Sequence, residues 1–140
     1  MPKKETNVMK NITTGTGRRK TSVASIFIKE EKGDFLVNGK NITEYFPLEK
    51  DTVVWTKPFY ILGIAHPSSK YSATIKVSGS GKYGQLEAVR HAISWALAKM
   101  NAEWATSLRK QGLLTRDSRM VERKKYNHHK ARKATQYSKR

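Results

Sequence analysis

Two regions of the chain are rich in β-branched and aromatic residues and predict β-strands. Residues 23–29 are followed by the turn Lys32-Gly33-Asp34 and a second short strand at 35–38, so these two strands are predicted to form a hairpin. Residues 71–77 alternate between apolar and polar positions, with Tyr71, Ala73, Ile75 and Val77 on one side. This period of two is typical of a strand that buries one face.

A different spacing follows, with apolar residues recurring every three or four positions, as on one face of a helix. The residues of this face are Leu86, Val89, Ile93, Ala96, Leu97 and Met100. A further short helix is predicted from Ala102 to Lys110, ending at Gly112. Upstream, Asn41 or Thr43 is predicted to cap a short helix, and residues 48–64 to form two short helices broken near Pro58.

Strands and helices are therefore mixed along the chain without a strict alternation of strand and helix. The pattern predicts an α+β fold, a two-layer sandwich in which helices pack on one face of a small sheet. The last 18 residues contain no Leu, Ile, Val, Met, Phe or Trp and no acid, so they cannot add to a core. We expect them to form a long extended tail that is disordered until a partner binds.

The distribution of charge also separates a middle region from the ends of the chain. The 140 residues hold 28 Lys and Arg against 11 Asp and Glu, a net charge of +17, and residues 109–140 alone hold twelve of those cations and two of the acids. A near-neutral middle with a basic arm at each end indicates an anionic partner. We predict an N-terminal extension at 1–13, a globular RNA-binding domain at 14–112 and a basic tail at 113–140.

Several classes of function are disfavoured. Cysteine is absent, which excludes disulfides and thiolate sites, and no apolar run approaches the roughly 18 residues of a membrane span. The first residues lack the apolar segment of a secretory signal. The neighbouring His128 and His129 do not share one face as paired metal ligands usually do. We find no catalytic triad or carboxylate pair, and we predict no enzyme activity, cofactor, metal or small-molecule substrate.

Two glycine-rich segments resemble nucleotide-binding motifs but lack essential parts. Gly79, Gly81 and Gly84 fit G-x-G-x-x-G, yet no second strand with a ribose-binding acid follows, which leaves a tight turn or an anion site at the helix start beside Lys82. In TGTGRRKTS the residue before Lys20 is Arg19, so a phosphate-binding loop cannot form. The run Arg18-Arg19-Lys20 is a flexible basic linker or, since it abuts a strand, a fixed phosphate contact.

Four segments together resemble one protein family. They are GTGRRKTSVASIFI from Gly15, GKYGQLEAVRHAI from Gly81, TRDSRMVERKK from Thr115 and the terminal SKR. In this order and spacing they resemble ribosomal protein nine of the small subunit, in its bacterial form. The resemblance implies an α+β domain like the second domain of ribosomal protein five. It also implies a place on ribosomal RNA in the head of the small subunit, beside other head proteins, and a tail that reaches transfer RNA in the peptidyl site.

The resemblance also implies which residues contact RNA. The anion site at the start of the long helix adds Lys82, and the basic composition adds the other cations of the tail. The predicted ribosomal RNA contacts are Gly15, Gly17, Arg18, Arg19, Lys20, Lys82, Arg90, Arg116, Arg119, Arg123, Lys124, Lys125, Lys130, Arg132 and Lys133. The predicted transfer RNA contacts are Ser138, Lys139 and Arg140. The family motifs further include Gly79, Gly81, Gly84, Gln85, His91, Asp117 and Glu122.

This sequence departs from the family at three places. Gly79-Ser80-Gly81 replaces three glycines, Asn127-His128-His129 replaces Gly-Leu-Arg, and Lys133-Ala134-Thr135 replaces Arg-Arg-Pro. Two alternatives remain open at this level. One is a free nucleic-acid-binding factor, such as a nucleoid protein or RNA chaperone, and the other is a small phosphate-handling enzyme that uses a glycine loop. A cytoplasmic location on the ribosome is expected from the leading interpretation.

Overall fold

A computed structural model of the chain describes residues 11–139. Its strands are β1 Ile12–Arg19, β2 Ser22–Lys29, β3 Phe35–Val37, β4 Lys40–Asn41 and β5 Ser72–Ser78. Its α-helices are α1 Ile42–Tyr45, α2 Glu49–Ile61, α3 Lys82–Met100 and α4 Ala102–Lys110. The short helix capped by Asn41, the long amphipathic helix, the helix at 102–110 and the strand at 71–77 are confirmed.

The strands form one sheet in the order β1-β2-β5-β3-β4, with β3 and β5 parallel and the other neighbours antiparallel. The predicted hairpin of β2 with β3 is therefore wrong, because β5 lies between them. β5 pairs with β2 along seven residues, from Val23↔Ser78 to Lys29↔Ser72, whereas β3 has only three residues to offer. Pairing of β2 with β5 forms more backbone hydrogen bonds than pairing with β3 could. The polar segment between β2 and β3 is long enough to place β3 on the far side of β5.

β1 was not predicted as a strand, since its sequence ITTGTGRR has little apolar content. The structure gives a physical reason for this composition, which is that α3 lies directly on the strand. A Cβ atom on Gly15 would stand 2.3 Å from the carbonyl oxygen of Ala92, and one on Gly17 would stand 2.0 Å from that of Ala88. Only glycine permits this approach of helix and strand backbones.

The core fills the space between one face of the sheet and the helices, as predicted for an α+β sandwich. Along β2 buried and exposed residues alternate, with Ala24, Ile26 and Ile28 fully buried beneath α3. Along β5 the same alternation buries Ala73, Ile75 and Val77. The opposite face of these strands is left without a covering layer among residues 11–139.

α2 is one continuous helix, so the prediction of two helices broken near Pro58 is wrong. Aromatic packing explains why the helix continues through a residue that usually interrupts one. Trp55 and Phe59 lie on either side of Pro58 and both contact Phe35 of β3, at ring-centroid distances of 5.6 Å each. Burial of this face against the sheet outweighs the hydrogen bond that proline cannot donate.

After α4 the chain makes one more contribution to the core, through Leu113 and Leu114, which are both buried. Ile12 and Thr13, from the predicted N-terminal extension, lie in β1. From residue 115 to 139 the chain forms no helix or extended strand, apart from one isolated bridge between His128 and Ala134. The predicted likeness to ribosomal protein five stays a prediction. Within residues 11–139, the helices are too short or too polar to cross a membrane.

Candidate nucleic-acid interface

The basic run Arg18-Arg19-Lys20 forms the end of β1 and the turn into β2. Arg19 pairs with Ser22 in the register, so the turn has only two residues, and Lys20 adopts a left-handed conformation with φ of 52°. Of the two interpretations of this run, a flexible linker is thereby excluded. The backbone of all three cations is fixed at one end of the sheet.

The turn before α3 lies directly against this basic turn. A Cβ atom on Gly79, whose φ is 84°, would stand 2.4 Å from the carbonyl oxygen of Thr21. Ser22 Oγ and Gln85 Nε2 both donate to the carbonyl oxygen of Gly79, each at 3.0 Å. The two glycine-rich segments that look separate in the sequence therefore meet in the structure. At the start of α3, Lys82 is exposed and its Nζ stands 3.5 Å from the carbonyl oxygen of Tyr45.

Arg19 fastens the start of the basic tail to the sheet. Its Nη1 lies 3.1 Å from Asp117 Oδ1 and donates to the carbonyl oxygen of Arg119 at 3.1 Å. The Arg19 side chain is only 12% exposed, and its Nη1 is bonded to the tail segment. Its predicted contact with RNA stays a prediction, and the structure assigns its side chain a role in holding the tail.

Asp117 is surrounded by donors. Its carboxylate accepts from the side chain of Arg119, with Nη2 to Oδ2 at 2.7 Å, and from the backbone N–H of that residue at 3.0 Å. These hydrogen bonds, together with the charges of Arg119 and Arg19, hold the pKa of Asp117 well below its usual range. The same ion pair raises the pKa of Arg119. Asp117 is therefore charged at neutral pH and neutralises part of the surrounding positive charge.

His91 joins three segments at this end of the domain. Its Nδ1 accepts from the backbone N–H of Arg18 at 3.2 Å, and its Nε2 lies 3.1 Å from the carbonyl oxygen of Leu114. The indole N–H of Trp95 is also 3.0 Å from Nε2. Burial, with smaller contributions from the charges of Arg90 and Arg116, lowers the pKa of His91. A neutral imidazole with its proton on Nε2 accepts from Arg18 and donates to Leu114, and it leaves the Trp95 N–H without an acceptor on this ring.

The sequence placed His91 only among the residues of a family motif and gave no sign of this bridging role. Its position four residues before Trp95 on α3 was visible, but no sequence signal indicates which strand edge the helix covers. On the same stripe of α3, Lys99 Nζ donates to the carbonyl oxygen of Thr14 at 3.0 Å. His91 and Lys99 thus bind outward-facing backbone groups of β1, which limits the edge of the sheet as a site for strand pairing.

The remaining predicted contacts are distributed over α3 and the tail. Arg90 pairs with Glu87 at 2.6 Å, and Glu122 pairs with Lys125 and with Arg132, the latter at 3.0 Å. These contacts with Glu122 lower the pKa of its carboxyl group. Exposed tail residues of the predicted set are Arg116, Arg119, Arg123, Lys124, Lys130, Arg132, Lys133, Ser138 and Lys139. Arg140 lies outside the described residues.

Part of the predicted set is brought together by the fold. Arg18, Arg19, Arg90 and Asp117 line one crevice between β1, α3 and the first residues of the tail. Gly15 and Gly17 are buried under α3, and their predicted RNA contact stays a prediction. We call the surface formed by Arg18, Lys20, Arg90, Arg116 and Arg119 the basic end of the domain. In residues 11–139 no three His, Asp or Glu side chains are grouped as metal ligands.

Comparison with known proteins adds an independent finding. The chain matches the family described as ribosomal protein S9/S16 over residues 17–140. It is 47% identical over 130 residues to a protein of Borrelia duttonii strain Ly named small ribosomal subunit protein uS9, covering 93% of each chain. Proteins of the same name from Amoebophilus asiaticus and Cytophaga hutchinsonii are 46% and 45% identical over 129 residues, covering 92% of this chain and 98% of theirs.

The matched residues include the basic turn, α3 and the whole tail, which are the elements that carry the candidate interface. These similarities cover nearly the full length of both this chain and its relatives. The chain therefore belongs to the ribosomal protein S9/S16 family.

Proposed function

We propose that this protein is a structural constituent of the small ribosomal subunit and binds ribosomal RNA through the basic end of its domain and its tail. The observation that carries the proposal is the ion pair of Arg19 with Asp117. This contact holds the base of the tail beside the basic turn. Two clusters of cations that are about one hundred residues apart in the sequence consequently form one surface.

A continuous cationic surface suits the backbone of folded RNA. Arg18 and Arg116 are exposed, and Lys20 is half-buried. The backbone of Arg18 and Lys20 is fixed by the sheet. The backbone of Arg116 is held close to the domain because Leu113 and Leu114 are buried in the core. Phosphate contacts of this kind position a protein on RNA and supply affinity through counterion release. Arg119 adds a guanidinium that already bonds to Asp117 but is 83% exposed.

The tail would extend this surface along the RNA. Eighteen residues at about 3.3 Å each span roughly 60 Å when extended, which takes the chain far from the domain. The two acids of the tail, Asp117 and Glu122, are each paired with cations, so they compete little with phosphate for the remaining charges. We propose that the tail lies on ribosomal RNA and that Ser138, Lys139 and Arg140 contact transfer RNA in the peptidyl site.

The same proposal includes a place in the head of the subunit, contacts with neighbouring head proteins and a cytoplasmic location on the ribosome. It assigns no enzyme activity, cofactor or small-molecule substrate to the chain. We also propose that the domain resembles the second domain of ribosomal protein five. In the same proposal, the tail is disordered in the free protein and becomes ordered when RNA binds.

Equilibrium binding to small-subunit ribosomal RNA tests the RNA part, with large-subunit ribosomal RNA of matched length as the competitor. A subunit constituent prefers the small-subunit RNA at every salt concentration. A free nucleic-acid-binding factor, the main alternative, binds both RNAs alike, and that result would contradict the proposal. Titration with nucleotides tests the other alternative, a phosphate-handling enzyme. Such an enzyme would bind nucleotides specifically, whereas a structural constituent of the subunit is expected not to.

Removal of residues 138–140 tests the tip of the tail. Subunits assembled with the truncated protein should form normally, because most tail cations remain. Their affinity for transfer RNA in the peptidyl site should fall by about 1–2 kcal/mol, the scale of one or two charge-assisted hydrogen bonds. Equal affinities with full-length and truncated protein across a range of salt would remove the transfer RNA contact from the proposal.

A further inference from the structure

The open face of the sheet, opposite the helices, carries an ordered array of side chains. One row across it joins Thr14, Phe27, Thr74 and Leu36, which are direct neighbours on four adjacent strands. The next row joins Thr16, Ser25 and Lys76, and the third joins Arg18, Val23 and Ser78. Because side chains of alternate residues point to the same face of a sheet, these residues share one surface.

Phe27 lies near the middle of this face and is 39% exposed, which is unusual for an aromatic side chain in a sheet. Beside it the face forms an open groove of about 340 Å³, lined by Phe27, Leu36 and Thr74 together with Lys29 and Ser72. The groove thus offers the surface of one aromatic ring, surrounded by hydroxyl groups and within reach of lysine side chains.

The charges of the open face favour an anionic occupant. Three cations, Arg18, Lys29 and Lys76, occupy strand positions on this face, and the strand residues that share it include no acid. Asp34 stands at the rim of the groove, at the end distant from Arg18, and is the one acid that lines it. The anion is therefore expected to run from the groove towards Arg18 rather than past Asp34.

We propose that the open face is a second RNA-binding site, which holds a single-stranded segment of RNA with one base stacked on the ring of Phe27. Lys76 and Lys29 contact the phosphates on either side of that base, and the hydroxyls of Thr16, Ser25 and Thr74 bond to ribose or base edges. An exposed aromatic ring flanked by cations and hydroxyls is the usual means by which proteins hold unpaired nucleotides. This inference rests on the proposed function.

Continuity with the basic end of the domain supports this choice. Arg18 lies on the open face one residue before the end of β1, and Lys20 stands in the two-residue turn that follows. From the row of Arg18 to the row of Phe27 is four residues along β2, or about 14 Å at 3.4 Å per residue. One RNA strand is able to pass from the phosphate contacts at the turn to the stacking site without leaving the protein surface.

Replacement of the ring tests the inference in the full-length protein. Phe27→Thr keeps a strand-forming residue and removes the aromatic surface, whereas Phe27→Tyr keeps the ring. Leu36→Thr is the matched control, since Leu36 lies in the same row and is exposed to a similar degree, 38%, but has no ring. Circular dichroism and thermal unfolding establish that each variant is folded before binding is measured.

Binding to small-subunit ribosomal RNA should weaken about tenfold or more for Phe27→Thr, the scale of one base stacked on an aromatic ring. The dependence of affinity on salt should stay unchanged, because stacking releases no counterions. Phe27→Tyr should bind like the unchanged protein, and Leu36→Thr should weaken binding by less than about threefold. Equal effects of Phe27→Thr and Leu36→Thr would show that apolar area alone matters and would overturn the stacking site.

The failure of this inference is distinguishable from failure of the proposed function. If Phe27→Thr binds RNA normally while Lys20→Ala with Arg116→Ala, two changes in the basic end that lie outside the open face, binds weakly, the open face is not an RNA site and the proposed function stands. If the unchanged protein shows no preference for small-subunit RNA, both fall together. In assembled subunits, a photoreactive benzophenone side chain introduced at Ser25 should crosslink to RNA. Crosslinks to a protein would overturn the inference in favour of a protein docking face.

Discussion

Arg19, at the last position of β1, forms an ion pair with Asp117, and its Nη1 lies 3.1 Å from Asp117 Oδ1. This contact closes a loop that contains most of the folded domain. It is supported by His91, which bonds to the backbone of Arg18 on one side and lies against the backbone of Leu114 on the other. The start of the tail is therefore held at a defined place, and the exposed cations that follow begin beside the basic turn.

Removal of the ion pair should release the start of the tail without unfolding the domain. We expect Asp117→Asn to raise hydrogen exchange of the backbone amides at 117–119, where Arg119 N–H now donates to the Asp117 carboxylate. Protection in β2 and α3 should not change, since these elements are held by the core. Glu122→Gln is the matched control, because it removes ion pairs within the tail only. Unchanged exchange at 117–119 would show that the ion pair does not hold the tail.

A methyl group between β1 and α3 should be poorly tolerated. Gly17→Ala places a Cβ atom 2.0 Å from the carbonyl oxygen of Ala88 and 2.3 Å from the backbone nitrogen of Ala92. Backbone atoms cannot relieve such a clash by changing rotamer, as side chains can. The free energy of unfolding should therefore fall by about 3 kcal/mol, at the upper end of the effects of overpacking. Urea unfolding measures this difference.

The control for that substitution is Gly81→Ser. A Cβ atom on Gly81 meets nothing within 4 Å, and serine is favoured at the N-cap position that Gly81 occupies at the start of α3. Its free energy of unfolding should equal or exceed that of the unchanged protein. Similar decreases in stability for both variants would contradict the close packing of β1 on α3.

Stability should decrease as the pH falls below neutrality, because of His91. Burial lowers the pKa of His91 below its usual 6.5, so the unfolded chain takes up a proton at a higher pH than the folded protein does. The contribution of His91 to stability is complete well above pH 6.5 and is lost progressively as the pH falls from there through the lowered pKa. Protonation of Nδ1 would also remove the acceptor for the Arg18 N–H.

Thermal unfolding between pH 7.5 and pH 5.5 measures this effect, with His91→Gln as the comparison. The unchanged protein should have the higher midpoint at pH 7.5, and the difference between the two proteins should shrink towards pH 5.5. A difference that is constant over this range would mean that His91 does not titrate within it.

The basic turn should bind phosphates in a way that salt weakens. Arg18→Ala with Lys20→Ala leaves Arg19 in place to hold the tail, so the fold and the ion pair should persist. The slope of log affinity for small-subunit RNA against log salt should drop by roughly 0.7–0.9 for each phosphate that the variant no longer neutralises. Lys50→Ala with Lys57→Ala removes two exposed cations from α2, on another part of the surface, and should leave the slope unchanged. Equal slopes for both double variants would contradict a specific role of the turn.

Local patterns in the sequence were sufficient to predict the elements that bury one face. The period of α3 and the alternation of β5 each reflect a single face of the element, which is a local property. The strand order was not predictable in this way, because β5 inserts between β2 and β3 through a ladder that links distant parts of the chain. The helical state of Pro58 likewise depends on the contacts of Trp55 and Phe59 with Phe35.

In the candidate interface, too, some features were predictable from the sequence and others depend on long-range contacts. Clustering of cations in the turn and the tail was visible in the sequence, since it needs only composition and order. The pairing of Arg19 with Asp117 and the bridging position of His91 depend on how α3 crosses β1. That crossing is set by Gly15 and Gly17, whose missing side chains leave no apolar pattern from which a strand would be predicted.

The most direct test of the central claim, that this chain is a constituent of the small ribosomal subunit, is its distribution in a sucrose gradient of cell lysate. Quantitative mass spectrometry of the fractions, before and after a high-salt wash, measures how many copies accompany each subunit. We expect about one copy for each small subunit, free or within whole ribosomes, and retention of the protein after the wash. Recovery of most of the protein at the top of the gradient, or spread across unrelated nucleic acid, would contradict it.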